Sequence, residues 1–304
     1  MEQACPLPKA NSLFIDECEE RALRNWLNRL SAKKISWEQF NQKIANPLSV
    51  SRIASRGSGQ SLLHLAVLDD RLDMVQALKR DASLKWRRDA VGLSPIELAQ
   101  LLNRKEVLDL LQPSLERAVF PDFPPLENFE YLPHPIFETR ESLEQVLACV
   151  AKAKQEDKIS AEKIWMGIYF DKEVQNGVHP AVSIRHINSE IGYGVFAEKK
   201  IPPCAYVGEY TGVVQERTPK QLKEKNYCLR YPVWEGKKNF AIDAEEKGNF
   251  TRFINHSREP NLSLESIYWH GVPRMIFLAL KEIWEGEPLT FDYGPLFWKG
   301  HESR

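Results

Sequence analysis

Apolar residues recur at helical spacing through residues 12–45, where Leu13, Phe14, Ala22, Leu23, Trp26, Leu27 and Leu30 alternate with charged positions. Ser36 to Ile44 reads as a second, shorter helix, and Ser55-Arg56-Gly57-Ser58-Gly59 as a loop. Between residues 112 and 137 the prolines Pro113, Pro121, Pro124, Pro125, Pro133 and Pro135 forbid a continuous helix. Phe120, Phe123, Phe129 and Tyr131, set among them, predict a linker that packs on a neighbour. Leu143, Val146, Leu147 and Val150 share one face of a helix over 139–155, with Thr139 and Ser142 as its caps. Ile164 to Phe170 has the composition of a strand. From Val182 onward the texture changes to short β-rich runs punctuated by Gly and Pro, with a helical insert near Thr218 to Lys225.

One segment repeats. Gly59-Gln60-Ser61-Leu62-Leu63-His64-Leu65-Ala66 returns 33 residues later as Gly92-Leu93-Ser94-Pro95-Ile96-Glu97-Leu98-Ala99. At the same offset Arg71 matches Arg104, Asp73 matches Glu106 and Leu78 matches Leu111. The period and the G-x-[ST]-x-x-H-x-A opening resemble ankyrin repeats. Ser61 and Ser94 then cap the first helix of each repeat. Glu97 stands where that family has His, which implies a degenerate second cap. Two repeats bury little apolar surface by themselves, so the helices of residues 1–56 are expected to act as a divergent cap. Two unrelated amphipathic helix pairs are the alternative.

Composition narrows the class. Of 304 residues, 43 % are apolar and 27 % charged, and the net charge is -1. These values fit a folded soluble chain long enough for two domains. The near-zero balance supplies no global field for nucleic acid, so no direct nucleic-acid binding is expected. A histone or other basic tail would need a local acidic groove. Cys5, Cys18, Cys149, Cys204 and Cys228 form no C-x-x-C pair, which argues against a disulfide framework and against a cysteine zinc cluster; no metal is expected. The first residues lack the pattern of a signal peptide, and no apolar run is long enough for a bilayer. The expectation is a soluble protein of cytoplasm or nucleus with no membrane association, and of a host nucleus if the source secretes it as an effector.

Four separated segments carry the candidate chemistry: Ile191-Gly192-Tyr193-Gly194-Val195-Phe196-Ala197, Gly208-Glu209-Tyr210-Thr211-Gly212, the run Arg252-Phe253-Ile254-Asn255-His256-Ser257 continuing to Pro260-Asn261, and Gly286-Glu287-Pro288-Leu289-Thr290-Phe291-Asp292-Tyr293-Gly294. In this order they resemble the SET domain of protein lysine methyltransferases, over residues 182–298. No G-K-[ST] follows the glycines, and no strand–G-x-G–helix unit surrounds them, so a phosphate loop and a Rossmann-type methyltransferase are set aside.

The resemblance implies an α+β protein: an N-terminal helical, ankyrin-like region followed by a mainly-β SET domain of β-clip type with its C-terminal pseudoknot. The boundaries read from the sequence are a cap at 1–56, repeats at 57–112, a Pro-rich linker and connecting helix at 113–180, and the SET domain at 181–298. The implied activity is transfer of a methyl group from S-adenosyl-L-methionine to a protein lysine, a histone among the candidates, with the repeats docking substrate or a protein partner. The rival is an interaction protein whose SET domain is an inactive scaffold. By resemblance Tyr293 is catalytic and also contacts the donor, Tyr227 is a second catalytic candidate that lines the lysine channel or else belongs to the core, and Tyr210 is divided between channel and core. Gly192, Tyr193, Gly194, Asn255 and His256 are the donor-binding candidates. The cysteine-rich segments that often flank the domain are missing, so Phe297 and Trp298 are expected either to close the channel and cover the donor or merely to pack the C-terminus. Arg252 and Asp243 read as structural, a buried ion pair or turn ligands.

Overall fold

The computed structural model describes residues 17–112, 123, 124, 126, 128–234, 238–295 and 297. The chain divides into two compact units, residues 1–115 and 116–304. Leu13, Phe14, Pro113, Phe120, Pro121, Pro125 and Trp298 lie outside the described residues.

The first unit is helical. In α1 (Glu17–Ser31) the buried positions are Leu23, Leu27 and Leu30, one stripe of the helix. Helix α2 (Trp37–Lys43) starts at a capping box made by Ser36 and Gln39. Two helix pairs follow: α3 (Leu62–Leu68) with α4 (Leu72–Leu78), and α5 (Pro95–Leu101) with α6 (Lys105–Leu111). Equivalent helices start 33 residues apart, and the links match in detail. Asp70 and Asn103 both take the left-handed conformation, with φ of 54° and 50°. The next amides, of Arg71 and Arg104, each donate to an alanine carbonyl, of Ala66 and Ala99, at 2.8 Å. Gly59 is required where it stands: φ is +66°, and a Cβ would lie 2.8 Å from the Ala90 amide nitrogen.

The two caps differ in chemistry and agree in function. The Ser61 amide donates to His64 Nδ1 at 3.1 Å. That fixes the tautomer, so Nε2–H donates to the Leu93 carbonyl at 3.1 Å, tying the first pair to the loop that enters the second. At Ser94 the carboxylate of Glu97 accepts from the Ser94 amide at 2.8 Å, and Arg88 pairs with that carboxylate at 2.8 Å. The second cap is therefore complete, against the expectation of a degenerate one: a carboxylate accepts the bond that the imidazole accepts, and an arginine balances its charge. Cys18 is disulfide-bonded, which the scattered cysteine spacing did not suggest.

The second unit is β-rich. Its strands are β1 (Glu130–Tyr131), β2 (Ile136–Phe137), β3 (Val182–Asn188), β4 (Gly192–Ala197), β5 (Tyr206–Glu209), β6 (Val213–Glu216), β7 (Cys228–Tyr231), β8 (Phe240–Asp243), β9 (Lys247–Gly248), β10 (Asn255–His256), β11 (Leu262–Trp269), β12 (Val272–Ala279) and β13 (Thr290–Phe291). They form small sheets, with orders β2-β6-β8-β7 and β11-β12-β5 and the pairs β3-β4, β1-β9 and β10-β13. Helices α7 (Arg140–Gln155), α8 (Ala161–Tyr169) and α9 (Asp171–Asn176) precede β3, and α10 (Pro219–Glu224) fills the insert before β7. At the centre Arg274 and Glu209 are 2 % and 4 % exposed and form a bidentate pair, Nε and Nη2 each donating to one carboxylate oxygen. The Glu209 carbonyl accepts from Asn249 at 2.9 Å and Thr251 at 3.2 Å, which fastens the run leading into Asn255.

Residues 164–169 are helix rather than strand, and Phe170 is the turn that ends it. Ser160 caps α8 through the Lys163 amide at 3.4 Å. Gly167 lets the helix lie on β11, since a Cβ there would meet the Tyr268 carbonyl oxygen at 1.8 Å. A short apolar run has no periodicity to separate the two states, and tertiary packing chooses.

His64 is fully buried, and that burial, outweighing the pull of Asp89, lowers its affinity for a proton. Below the ordinary histidine value of about 6.5, the unfolded chain takes up a proton that the folded ring refuses. The stabilisation is thus present above that pH and lost as pH falls. In denaturant titrations the wild type should lose more stability between about pH 7.5 and 5.5 than His64→Gln, whose amide can accept the Ser61 bond without titrating; equal losses would remove His64 from this role.

Candidate functional site

Three distant segments converge at the end of β4. Strand β10 runs parallel to β13, with Asn255 opposite Thr290 and His256 opposite Phe291. Asn261, 7 % exposed, fastens the same segments: its Nδ2 donates to the Pro288 carbonyl at 2.8 Å and its Oδ1 accepts from the Thr290 amide at 2.9 Å. The closing segment in turn meets β4, where the Leu289 amide donates to Val195 at 2.8 Å. Asn255 Nδ2 completes the junction, donating to the Tyr193 carbonyl at 3.0 Å. Gly194 permits this approach, because a Cβ there would stand 3.2 Å from Asn255 Nδ2 and 2.7 Å from Ile187 Cδ1.

Two cavities meet at this junction. The first, of about 600 Å³, is lined by Gly192, Tyr193, Asn255, Phe253, Phe129 and the carboxylate residues Glu190 and Glu245, among others. The second, of about 480 Å³, is lined mainly by apolar and aromatic groups, among them Tyr210, Leu222, Cys228, Ile254, Met275 and Phe291. Asn226, Tyr227, Arg252, Tyr293 and Phe297 line both. The wall between a polar chamber and an aromatic one is therefore built by Tyr227 and Tyr293, with Arg252 and Phe297 beside them.

The phenols of that wall are held. Tyr293 donates its hydroxyl to the Ile254 carbonyl at 3.0 Å. Its ring packs edge-on to Phe297 at 4.7 Å and against Phe291 at 4.8 Å. Burial, reinforced by Tyr227, raises its pKa, so it stays a neutral phenol at physiological pH. Tyr210 donates to the Tyr227 carbonyl at 3.0 Å, and burial likewise raises its pKa far above the ordinary value. Arg252 lies over the Tyr227 ring at 3.9 Å. Burial, with Asp243 adding to it, pushes the Cys228 thiol up to about 11.

The structure thus brings together Tyr293, Tyr227, Gly192, Tyr193, Asn255, Tyr210 and Phe297, with Gly194 in contact beneath them. His256 lines neither cavity. Its Nδ1 accepts from the Tyr293 amide at 3.3 Å and its ring packs on Tyr293, so it braces the wall from behind. The sequence reading overlooked Asn226, Glu190, Glu245 and Phe129, which carry no motif, and gave Asn261 no role. Of the two structural roles read for Arg252, the ion pair with Asp243 is not formed; Arg252 instead donates to the turn carbonyl of Ala244 at 2.8 Å, and it also faces both cavities.

Asp243 serves the insert instead. Its carboxylate accepts from Arg217 at 3.0 Å and from Lys225 at 2.8 Å, the residues that flank α10 on either side. Burial opposes the charge, but the bonds from Lys225 and Arg217 prevail and hold the carboxyl below its usual range. One buried anion so anchors both ends of the segment that places Leu222, Asn226 and Tyr227 at the cavities. Among the described residues no cluster of three metal-ligating side chains occurs.

Residues 192–294 match the family model of the SET domain. Histone-lysine N-methyltransferase EHMT1 of Homo sapiens is 33 % identical over 133 residues, 42 % of this chain and 10 % of that protein. N-lysine methyltransferase KMT5A-A of Danio rerio is 31 % identical over 134 residues, 41 % of this chain and 39 % of that protein. A solved structure of an active polycomb repressive complex 2 in the basal state aligns at a TM-score of 0.36 and 31 % identity, covering 40 % of this chain and 16 % of that one. The chain therefore spans well under half the length of these relatives.

Asp243→Asn should free both ends of α10. The expected result is a loss of about 1–3 kcal/mol and faster amide hydrogen exchange across residues 217–227 than in the wild type. Exchange unchanged in that segment would show that Asp243 does not anchor it.

Proposed function

We propose that this chain is an S-adenosyl-L-methionine-dependent protein-lysine N-methyltransferase. The observation that carries the reading is the pair of cavities sharing one phenolic wall, inside the segment that matches the SET domain. When bound, the donor supplies an electrophilic methyl carbon on a sulfonium. The polar chamber fits such a group: Glu190 and Glu245 favour its positive charges, the Tyr193–Asn255 junction offers amide and carbonyl groups, and Phe253 and Phe129 offer apolar faces. Gly192, at φ +77°, makes a turn there that other residues resist.

The aromatic chamber suits the acceptor. A lysine amine attacks only when neutral, and its ordinary pKa is about 10.4. Desolvation by Tyr210, Met275 and Phe291 disfavours the ammonium, and the Arg252 cation at the same wall adds like-charge repulsion. Tyr293 and Tyr227 orient the nitrogen at the opening between chambers. Alignment is the main contribution of such a wall, because displacement at a methyl carbon demands a fixed line of approach. Tyr293 acts as a neutral phenol rather than a phenolate, in keeping with its raised pKa. Phe297 excludes water from the opening; Trp298 lies outside the described residues.

The acceptor is a lysine of a protein; histones are one class to test, because a relative such as EHMT1 carries them in its name. The helix pairs of residues 57–112 form an ankyrin-like stack that docks a substrate or partner protein. Support comes from their matching 33-residue offset, left-handed links and capping boxes. The described part of the cap, residues 17–56, covers the end of that stack. Among the described residues no helix is long and apolar enough to cross a membrane.

Calorimetric titration with S-adenosyl-L-methionine should give one-site binding by the wild type, with Asn255→Ala weaker by roughly tenfold or more. Mass spectrometry should find methylated lysine in histones or a cell lysate treated with the protein. Tyr293→Phe should bind the donor within about threefold of wild type yet turn over at least tenfold more slowly. Absence of donor binding by the wild type overturns the assignment, and full turnover by Tyr293→Phe removes that residue from its role.

A further inference from the structure

We infer that the lysine chosen by this site lies in an acidic stretch of polypeptide, not in a basic tail. The inference rests on the assignment of the aromatic chamber as a lysine channel. A third cavity, of about 670 Å³, opens beside that chamber, between β7 with its following turn and β11. It shares Arg230, Asn239, Leu264 and Met275 with the aromatic chamber, so the two form one continuous groove. A chain whose lysine enters the chamber must lay its flanking residues along this groove.

The charges of the groove are lopsided. Among the described residues Lys163, Arg230 and Lys238 line it against a single carboxylate, Glu265. Lys238 is neutralised by Glu216 at 2.7 Å. Lys163 donates to the Ser266 carbonyl at 3.2 Å and hydroxyl, neither of them anionic. Arg230 is exposed and has no ion pair among the described residues. The aromatic chamber adds Arg252 and, among the described residues, no carboxylate. The carboxylates stand on the other side of the wall, with Glu190 and Glu245 in the polar chamber. Acidity thus faces the cationic donor, and net positive charge faces the acceptor's neighbours. Glutamate or aspartate next to the target lysine would pair with Arg230 and Lys163. Arginine or lysine there would be repelled, as like charges across an interface are. Polar side chains suit the groove rim, and its apolar floor of Leu264, Met275 and Pro232 can cover an extended backbone.

The test uses the full chain and three peptides of equal length with one central lysine, flanked at three positions on each side by glutamate, serine or arginine. Steady-state methyl transfer at low salt should favour the glutamate peptide over the arginine peptide by about three- to tenfold in kcat/KM. The ratio should shrink at 0.5 M salt, and Arg230→Glu should abolish or reverse it while leaving donor affinity unchanged. A preference for the arginine peptide, or a ratio untouched by Arg230→Glu, overturns the inference. Fluorescence anisotropy with the same labelled peptides reads the preference independently of turnover. If the donor fails to bind, the methyltransferase assignment fails, and the binding ratio still decides the groove's charge preference.

Discussion

Two residues of parallel backbone hold the site together. Strand β10 against β13 sets Asn255 and His256 beside the segment that ends in Tyr293, although they are almost forty positions apart in sequence. Nothing local makes so short a pair stable. It persists because Asn261 gives both faces of its amide to Pro288 and Thr290, and because Glu209, locked to Arg274, receives Asn249 and Thr251 just upstream. Buried polar groups of this kind stabilise only when every partner is present, and they fix one arrangement when all are. Loss of any of these bonds would move Tyr293 relative to the glycine turn, and a displacement of one ångström matters for a reaction governed by alignment.

The insert obeys the same logic with charge in place of amides. An anion in a mostly apolar setting is costly unless cations reach it. Asp243 draws Arg217 and Lys225 inward, and with them both ends of a short helix that could not stand alone in water. The shape of the aromatic chamber is thereby coupled to one carboxylate outside it.

Much of the fold could be read from the sequence where a local rule was strong. The capped helix after Thr139, the insert helix and the 33-residue echo follow from periodicity and capping. Helix α8 did not, since its apolar run is short and its state is set by Gly167 against β11. The site was readable as motifs and not as surfaces. Gly192, Asn255 and Tyr293 stand out by pattern, whereas Glu190, Asn226 and Phe129 reach the chamber only through folding and belong to no pattern. Of the two roles open for Arg252 and Asp243, the mutual ion pair does not form, because Asp243 meets the cations of Arg217 and Lys225 while Arg252 meets a turn carbonyl and a phenol ring.

Cys228 stands in the chamber proposed for the acceptor, with its thiol pushed up to about 11. Sulfur is ordinarily the better nucleophile toward an alkylating agent, so a cysteine here invites self-modification. The surroundings prevent it by acting on both groups in the same direction with opposite results. Taking charge away from an ammonium leaves a reactive lone pair, whereas withholding ionisation from a thiol leaves it inert. In the methyl transfer proposed, the dry wall that would awaken nitrogen would also silence sulfur, so the lining itself would select between the two.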